Sequence, residues 1–526
     1  MYKRQPLALI GLAAPPGAQM LTQFLQPDGA VAGDQFGASV AFSGIRILAG
    51  ASLQSGPTQF AAGAAYVYRG GPGGWQLEAE LTAPQPTFLA LFGGAVDLHG
   101  AAALVTSRTG AHFFDRTGSG WALAAALAPP GLNVLVNIRG AAALAPSGDT
   151  AVAGLLDFGA PVGSVAVYER GPAGWQQTAQ LQPAGGFPGD GFGRAADVHG
   201  DTAVVGAPTG DGAGAASGSA YVFERGPAGW VQTAELVAGD GAPGDAFGGR
   251  VAVWEDRIFV GSVAHVSQGP AGPIRGAVYV YDRTPTGWAP SAVLVASDGD
   301  AGSSFGASLS PGADRLLVGA GMNLVTGQPG SAYVLEWTPG GWVETTQVPD
   351  PSPTTGNKFG NDLALGEAAL AVSADQGSLA GPAAGWVGVF TDPALVASPD
   401  QLSLATGGVQ SFALDAGSAH AALPYVLVGS LSGTSPGTLL SELWLPLNPD
   451  VYTVTSLIAP NSPPLAGSSG TLDAAGRSQA TFTLPPGLPP VLLGQVIHHA
   501  FAVIELQPTL LQVTFTSEAG SLTLVP

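Results

Sequence analysis

The sequence predicts an all-β protein: a seven-bladed β-propeller closed by an N-terminal strand, followed by a C-terminal β-sandwich. Three observations predict it. Glycine and proline occupy 79 and 44 of 526 positions, yet hydrophobic residues make up 46% and the mean hydropathy is +0.29. Such a chain can bury a large core while turning often, which short strands joined by tight turns satisfy and disorder does not. A unit of roughly 54 residues recurs along the first three quarters of the chain. The last unit lacks one strand, and an unclaimed strand of matching pattern lies at the other end of the repeat.

The repeat is marked by two dipeptides. A Gly-Trp pair ends at Trp75, Trp121, Trp175, Trp230, Trp288 and Trp342, and a Phe-Gly pair begins at Phe36, Phe92, Phe192, Phe247, Phe305 and Phe359. One further unit, around Ile138 to Gly140, keeps the register without the Phe-Gly, which makes seven. The fourth unit shows the pattern. Strand a is FGRAADV, a tight turn follows at His199 to Asp201, and strand b is TAVVGA. A long loop leads to strand c, SAYVFER, and Gly-Pro-Ala-Gly closes a hairpin onto strand d, WVQTAEL. Four short β-rich runs per unit are the pattern of a propeller blade.

The strings FGASV…LAGA…GAAYVY (36–68) and FGRAA…VVGAP…GSAYVF (192–223) resemble the FG-GAP repeats of integrin α-chain propellers and of many exported bacterial proteins. The resemblance covers roughly residues 20–391. In that family an Asp-rich loop between the Phe-Gly strand and the next holds calcium. Here the corresponding turns are SGI (43–45), HGD (199–201), EDR (255–257), GAD (312–314) and GEA (366–368). They are too short, and carry too few carboxylates, for an ion that needs six to eight oxygens. No metal and no cofactor is expected.

Unit seven stops after strand c, and QMLTQFLQP (19–27) matches strand d of the other units. The N-terminal strand is therefore expected to complete the last blade, which removes an open sheet edge. The Trp and Phe of the repeat are expected to pack, the former over the neighbouring blade and the latter in the inter-blade core.

Chain direction sorts the connections. The a–b turns and c–d hairpins lie at one end of the ring and are short. The b–c loops and d–a linkers lie at the other and include the long segments 51–63, 207–218, 262–276, 320–330 and 374–385. Variable loops on a rigid scaffold tend to carry function, so this long-loop face is the expected binding face. Its candidate residues are Asp211, His265, Asp240, Asp245, Asp298 and Asp300. The linker aspartates, with Asp28, Asp34 and Asp190, have an ordinary reading as turn formers that accept backbone N–H groups, and an alternative one as an anionic, cation-attracting rim. Of the seven histidines, only His265 stands where a site residue would; His99 and His199 share one turn position in two units.

Charged residues are only 10% of the chain and the net charge is −20. A phosphate backbone is repelled by such a protein, so nucleic acid is not an expected partner. Lysine occurs only as Lys3 and Lys358, and cysteine is absent, which removes disulfides, thiolate ligands and thiol nucleophiles. No apolar run is long enough to span a bilayer. Residues 1–18 read as a signal-peptide remnant or an artefact, and MYKRQ has the look of a translated adapter. No catalytic motif stands out.

Domains are expected at 19–394 (propeller) and 395–526 (β-sandwich). The second has runs such as VQSFALD, LPYVLVGSL, VYTVTSL (451–457), RSQATFTL and VIHHAFAVIE at about ten-residue spacing. The strings GSLSGTSPG, LPLNPDVYTV and GTLDAAGRSQATFTLP resemble an uncharacterised module of exported proteins from planctomycete-like bacteria. His498 and His499 fall in one strand and point to opposite faces. The expected function is that of a secreted or cell-surface, non-catalytic binding or adhesion protein for protein or polysaccharide. The alternatives are a glycan-active enzyme with its site at the central channel, and a structural envelope component.

Overall fold

In the computed structural model, described residues run from 20 to 526, apart from 57–58, 72–73, 129–140, 156–162, 270–271, 299–303, 322–329, 349, 355, 367–368, 380, 392–394, 399–400, 417–419, 435–437, 441–442, 475, 508–509 and 518–519. The region around Ile138 to Gly140 thus lies outside the described residues. The chain divides into two compact units, with the break between Phe390 and Thr391.

The first unit contains seven four-stranded sheets among the described residues. Six are continuous antiparallel meanders, within residues 36–81, 96–127, 142–181, 195–236, 247–294 and 308–348. The seventh joins 363–391 to the N-terminal strand Met20–Leu25, which lies beside Trp386–Thr391. Thr22 donates to the Val389 carbonyl, and Gln23 makes a two-way clasp with the backbone of Trp75 in the first blade. Each inner strand packs on that of the next blade, and Phe36 bridges Gly385, so blade 7 meets blade 1. The ring is closed by its own N-terminal strand.

The recurring glycines have one physical cause. The glycine ending strand b of one blade faces the backbone of the next blade's Phe-Gly: Gly50 meets Gly93, Gly206 meets Gly248 and Gly261 meets Gly306. A Cβ on Gly206 would overlap the carbonyl oxygen of Gly248, whose φ of +85° itself disfavours a side chain. In blade 2 the strand-b glycine is replaced by Thr106, and blade 3 is the unit without a Phe-Gly. Both halves of the contact are missing together.

Packing follows from the same register. The six Phe-Gly phenylalanines have no exposed area, and each lies against aromatic rings of its own strand c, as Phe192 does on Tyr221 and Phe223. The Gly-Trp side chains reach back to the preceding blade: Trp175 stacks on Phe113 with ring centroids 4.2 Å apart, and Trp342 meets Phe259. A register shift recurs in the c–d pairs, for example between Val222 and Phe223; such bulges increase local twist.

The second unit has two principal sheets. One pairs Leu395–Ser398, Gly408–Asp415, Arg477–Leu484 and Leu465–Ala466; the other is built around Val496–Gln507, Pro424–Ser430 and Gly520–Val525. Phe412 and Phe482 of the first share a core with Tyr425, Leu427, Phe501 and Leu522 of the second. The run at 451–457 is a helix, α1 (Val451–Ile458), not a strand. Asp450 accepts the Thr453 N–H while Thr453 accepts the Asp450 N–H, a capping box that outweighs the β propensity of Val, Tyr and Thr. His499 is fully buried between Phe412 and Phe482, its Nε2 2.9 Å from the Tyr452 hydroxyl, whereas His498 is partly exposed. Burial pushes the His499 imidazole down to about 3, and the neighbouring His498 acts in the same direction.

Candidate functional site

At the long-loop end, three of the six candidates come together. Asp245 Oδ2 lies 2.8 Å from His265 Nδ1, Asp240 Oδ2 lies 3.7 Å from His265 Nε2, and Tyr279 donates to Asp240 across 2.7 Å. His265 and Asp245 are buried, while Asp240 remains 60% exposed. Asp245 also accepts the Ala242 N–H, just as Asp34 accepts from Val31 and Asp190 from Phe187. These are turn contacts repeated from blade to blade. Asp298 accepts from Tyr333 and Gln347, and Asp211 accepts the Ala216 N–H within its own loop. Neither joins the His265 cluster, and Asp300 lies outside the described residues. Burial first, then the aspartate beside each hydroxyl, pushes the Tyr279 and Tyr333 phenols up, as expected where ionisation would place two negative charges together.

The segment 262–276, expected as a loop, is instead the far half of a long hairpin. Strands Arg257–Gly269 and Gly272–Thr284 stay paired beyond a register shift after Ser262, out to Gly269 opposite Gly272. The reason is legible in the tetrapeptide at 269–272, Gly-Pro-Ala-Gly, the same one that closes the c–d hairpins at 171–174 and 226–229. His265 sits in the shifted stretch, where the bulge turns it toward Asp245.

Sequence reasoning missed a second set of acids, on the inner strands around the central channel. An inner strand has an unpaired edge whose N–H groups need acceptors. Across the seams, Asp97 accepts from Leu144 (2.6 Å), Asp197 from Val253 (2.8 Å) and Asp362 from Val40 (2.9 Å). Ser39 accepts from Val96, Ser310 accepts from Leu365, and Arg250 donates to the Ala307 carbonyl. Six of the seven seams thus carry a clasp among the described residues. Asp97, Asp197, Arg250 and Asp362 keep partial exposure amid buried neighbours, so they line the channel. Burial pushes the carboxyl of Asp97 up to about 6 and that of Asp197 up to about 7, despite the N–H groups they accept. The available signal was a lone Asp inside an apolar strand, in AVDLHG and AADVHG.

The opposite end of the ring carries an ion-pair ladder. In blades 2 to 5 strand c ends in acid-Arg, and each Arg reaches an acid of the preceding blade: Arg116 to Glu78 on strand d, and Arg170 to Asp115, Arg225 to Glu169 and Arg283 to Glu224 on strand c. In blade 6 Trp337 replaces the Arg; Asp282 is paired by Arg257, which also lies over the Trp337 ring at 4.4 Å. A cavity of about 230 Å³ opens beside this break, lined by Trp254, Arg257, Asp282, Arg283 and Gly312.

Exposed aromatics are found at the long-loop end. Phe60, on the b–c loop of blade 1, and Phe88, on the following linker, are 62% and 64% exposed with ring centroids 6.0 Å apart; Phe187, on the linker into blade 4, is 69% exposed. Among the described residues, no group of three or more His, Asp or Glu side chains is placed to hold a metal ion. No helix of the described residues is long and apolar enough to cross a membrane.

A closed ring of four-stranded blades, with its polar side chains largely engaged between blades, defines a β-propeller scaffold of binding or structural role. The FG-GAP repeat model matches residues 21–68, 175–223, 230–281 and 288–335, so these four stretches of the ring are FG-GAP repeats, consistent with an FG-GAP β-propeller. The first matched stretch includes the N-terminal strand that completes blade 7. A crystal structure of a protein from Lactobacillus plantarum aligns with a TM-score of 0.38 and 13% identity, over 60% of this chain and 86% of that one. No curated protein matches this chain.

Proposed function

We propose that this is a secreted or cell-surface, non-catalytic binding protein that engages protein or polysaccharide through its long-loop face. The observation that carries the reading is the exposed Phe60–Phe88 pair with Phe187 on the same end of the ring. Large aromatic side chains left open to solvent, on loops held by a rigid scaffold, mark interaction surfaces. At the other end, arginines and aromatic rings are mostly engaged with one another. The test is a glycan array and a surface-protein pull-down with the full chain and a Phe60→Ser/Phe88→Ser variant. Ligands retained by the parent and lost by the variant support the reading; equal retention by both overturns it.

One observation favours a second reading, an enzyme with its site in the channel. Asp97 and Asp197 have carboxyls raised toward neutrality, a property of general acids. Against it, each carboxylate already accepts two backbone N–H groups. Hydrolysis of glycosidic substrates by the parent, abolished in Asp97→Asn/Asp197→Asn with the fold intact, would establish the enzyme.

A further inference from the structure

The charges of the propeller are sorted by end. Arg46, Arg116, Arg170, Arg225, Arg257 and Arg283 all lie at the short-turn end, each in an ion pair. At the long-loop end the described cations are Arg108, Arg194, Arg275 and Lys358. They face a larger set of aspartates, of which Asp28, Asp190, Asp211, Asp240 and Asp298 are exposed or partly exposed. Hydrogen bonds from N–H and hydroxyl groups orient several of these carboxylates without neutralising them. The face therefore combines exposed aromatic anchors with more carboxylates than cations, on a chain of net charge −20.

From this complementarity we infer that the partner is a basic polypeptide segment, with Lys or Arg side chains flanking apolar ones. The inference rests on the long-loop face being the binding face. The carboxylates come from different linkers, and no group of them among the described residues is placed to hold one ion; dispersed carboxylates suit dispersed cations. Apolar residues of the segment would cover Phe60 and Phe88, while its cations speed encounter and set orientation. A neutral glycan would use the rings but gain nothing from the charge.

The experiment uses the full chain and three fluorescent probes: a dodecapeptide alternating Lys and Leu, its Glu-for-Lys counterpart, and a neutral β-glucan oligosaccharide. Anisotropy titrations are run at low and at physiological salt on the parent, Phe60→Ser/Phe88→Ser, and a short-turn-end control, Trp337→Ser. Melting curves check that each variant is folded. The expected result is Lys-Leu binding that weakens about tenfold in the double Phe variant, weakens with salt, and is unchanged in the control. The Glu-Leu peptide does not bind. Glu-Leu binding as tight as Lys-Leu, or Lys-Leu affinity indifferent to the Phe variant, overturns the basic partner. Loss of oligosaccharide binding in the double Phe variant, without Lys-Leu binding, removes the basic partner but leaves the face. Indifference of every bound probe to the Phe variant removes both.

Discussion

Asp97 and Asp197 do two things at once. They satisfy N–H groups on the unpaired inner edge of the next blade, and they hold a charge in a poorly solvated channel. Burial lifts their carboxyls to about 6 and about 7, above the ordinary value of 3.8. A folded-state pKa above the unfolded one means that the folded ring holds the proton more tightly. The stabilisation is fully present below about pH 4 and is lost as pH rises through 6 to 7. Melting temperature should therefore fall across that window, and the fall should be shallower in Asp97→Asn/Asp197→Asn, which cannot ionise and whose single side-chain oxygen still accepts one of the two N–H groups. In the second unit the sign is reversed. Burial alone would raise Asp450, but the N–H groups of Thr453, Leu431 and Ser432 hold its carboxyl well below the usual range. Asp450→Ala should cost about 2 kcal/mol in denaturant unfolding of that unit. Glycine gives the sharpest contrast. Gly206→Ala drives a Cβ into the Gly248 carbonyl and should cost about 3 kcal/mol, while Gly226→Ala meets nothing within 4 Å and should be neutral.

At the scale of elements, the closing strand Met20–Leu25 bears most on stability, since it pairs with blade 7 and clasps Trp75 of blade 1. Deleting residues 19–27 exposes the edge of Trp386–Thr391 and should lower the melting temperature by roughly 10 °C; an unchanged melt would remove its role as the ring's lock. This strand, the blade register and the packing of the Phe-Gly rings were legible in the sequence because they repeat. What failed to repeat was hidden. The segment 262–276 read as a loop because the extension of this hairpin occurs in one blade, although the Gly-Pro-Ala-Gly at 269–272 announced a turn. Helix α1 read as a strand because Val, Tyr and Thr favour extended backbone, while the capping pair Asp450 and Thr453 lies three residues apart and is easily passed over. The channel clasps were illegible for another reason. An Asp in an apolar strand signals burial, but only the ring shows which backbone edge it serves.

The propeller as a whole has two unlike ends. One is a ladder of arginines, acids and tryptophans that spans several blades; the other displays aspartates and exposed phenylalanines. Surface ion pairs each contribute little, so the ladder matters mainly by keeping its arginines away from the opposite face. The short a–b turns cannot gather the oxygens that calcium needs. Calcium or a chelator should therefore move the melting temperature by less than about 1 °C, since a ligand that does not bind the folded state cannot stabilise it. The central claim is that the long-loop face does the binding, and a chain without cysteine allows a direct test. Single cysteines introduced as Phe60→Cys and Gly226→Cys, at opposite ends of the ring, are coupled to a bulky maleimide. Binding of a ligand from the array or pull-down is then measured against the parent chain. The adduct at position 60 should abolish binding, and the adduct at position 226 should leave it unchanged; block at 226 with binding intact at 60 would contradict the assignment of the face.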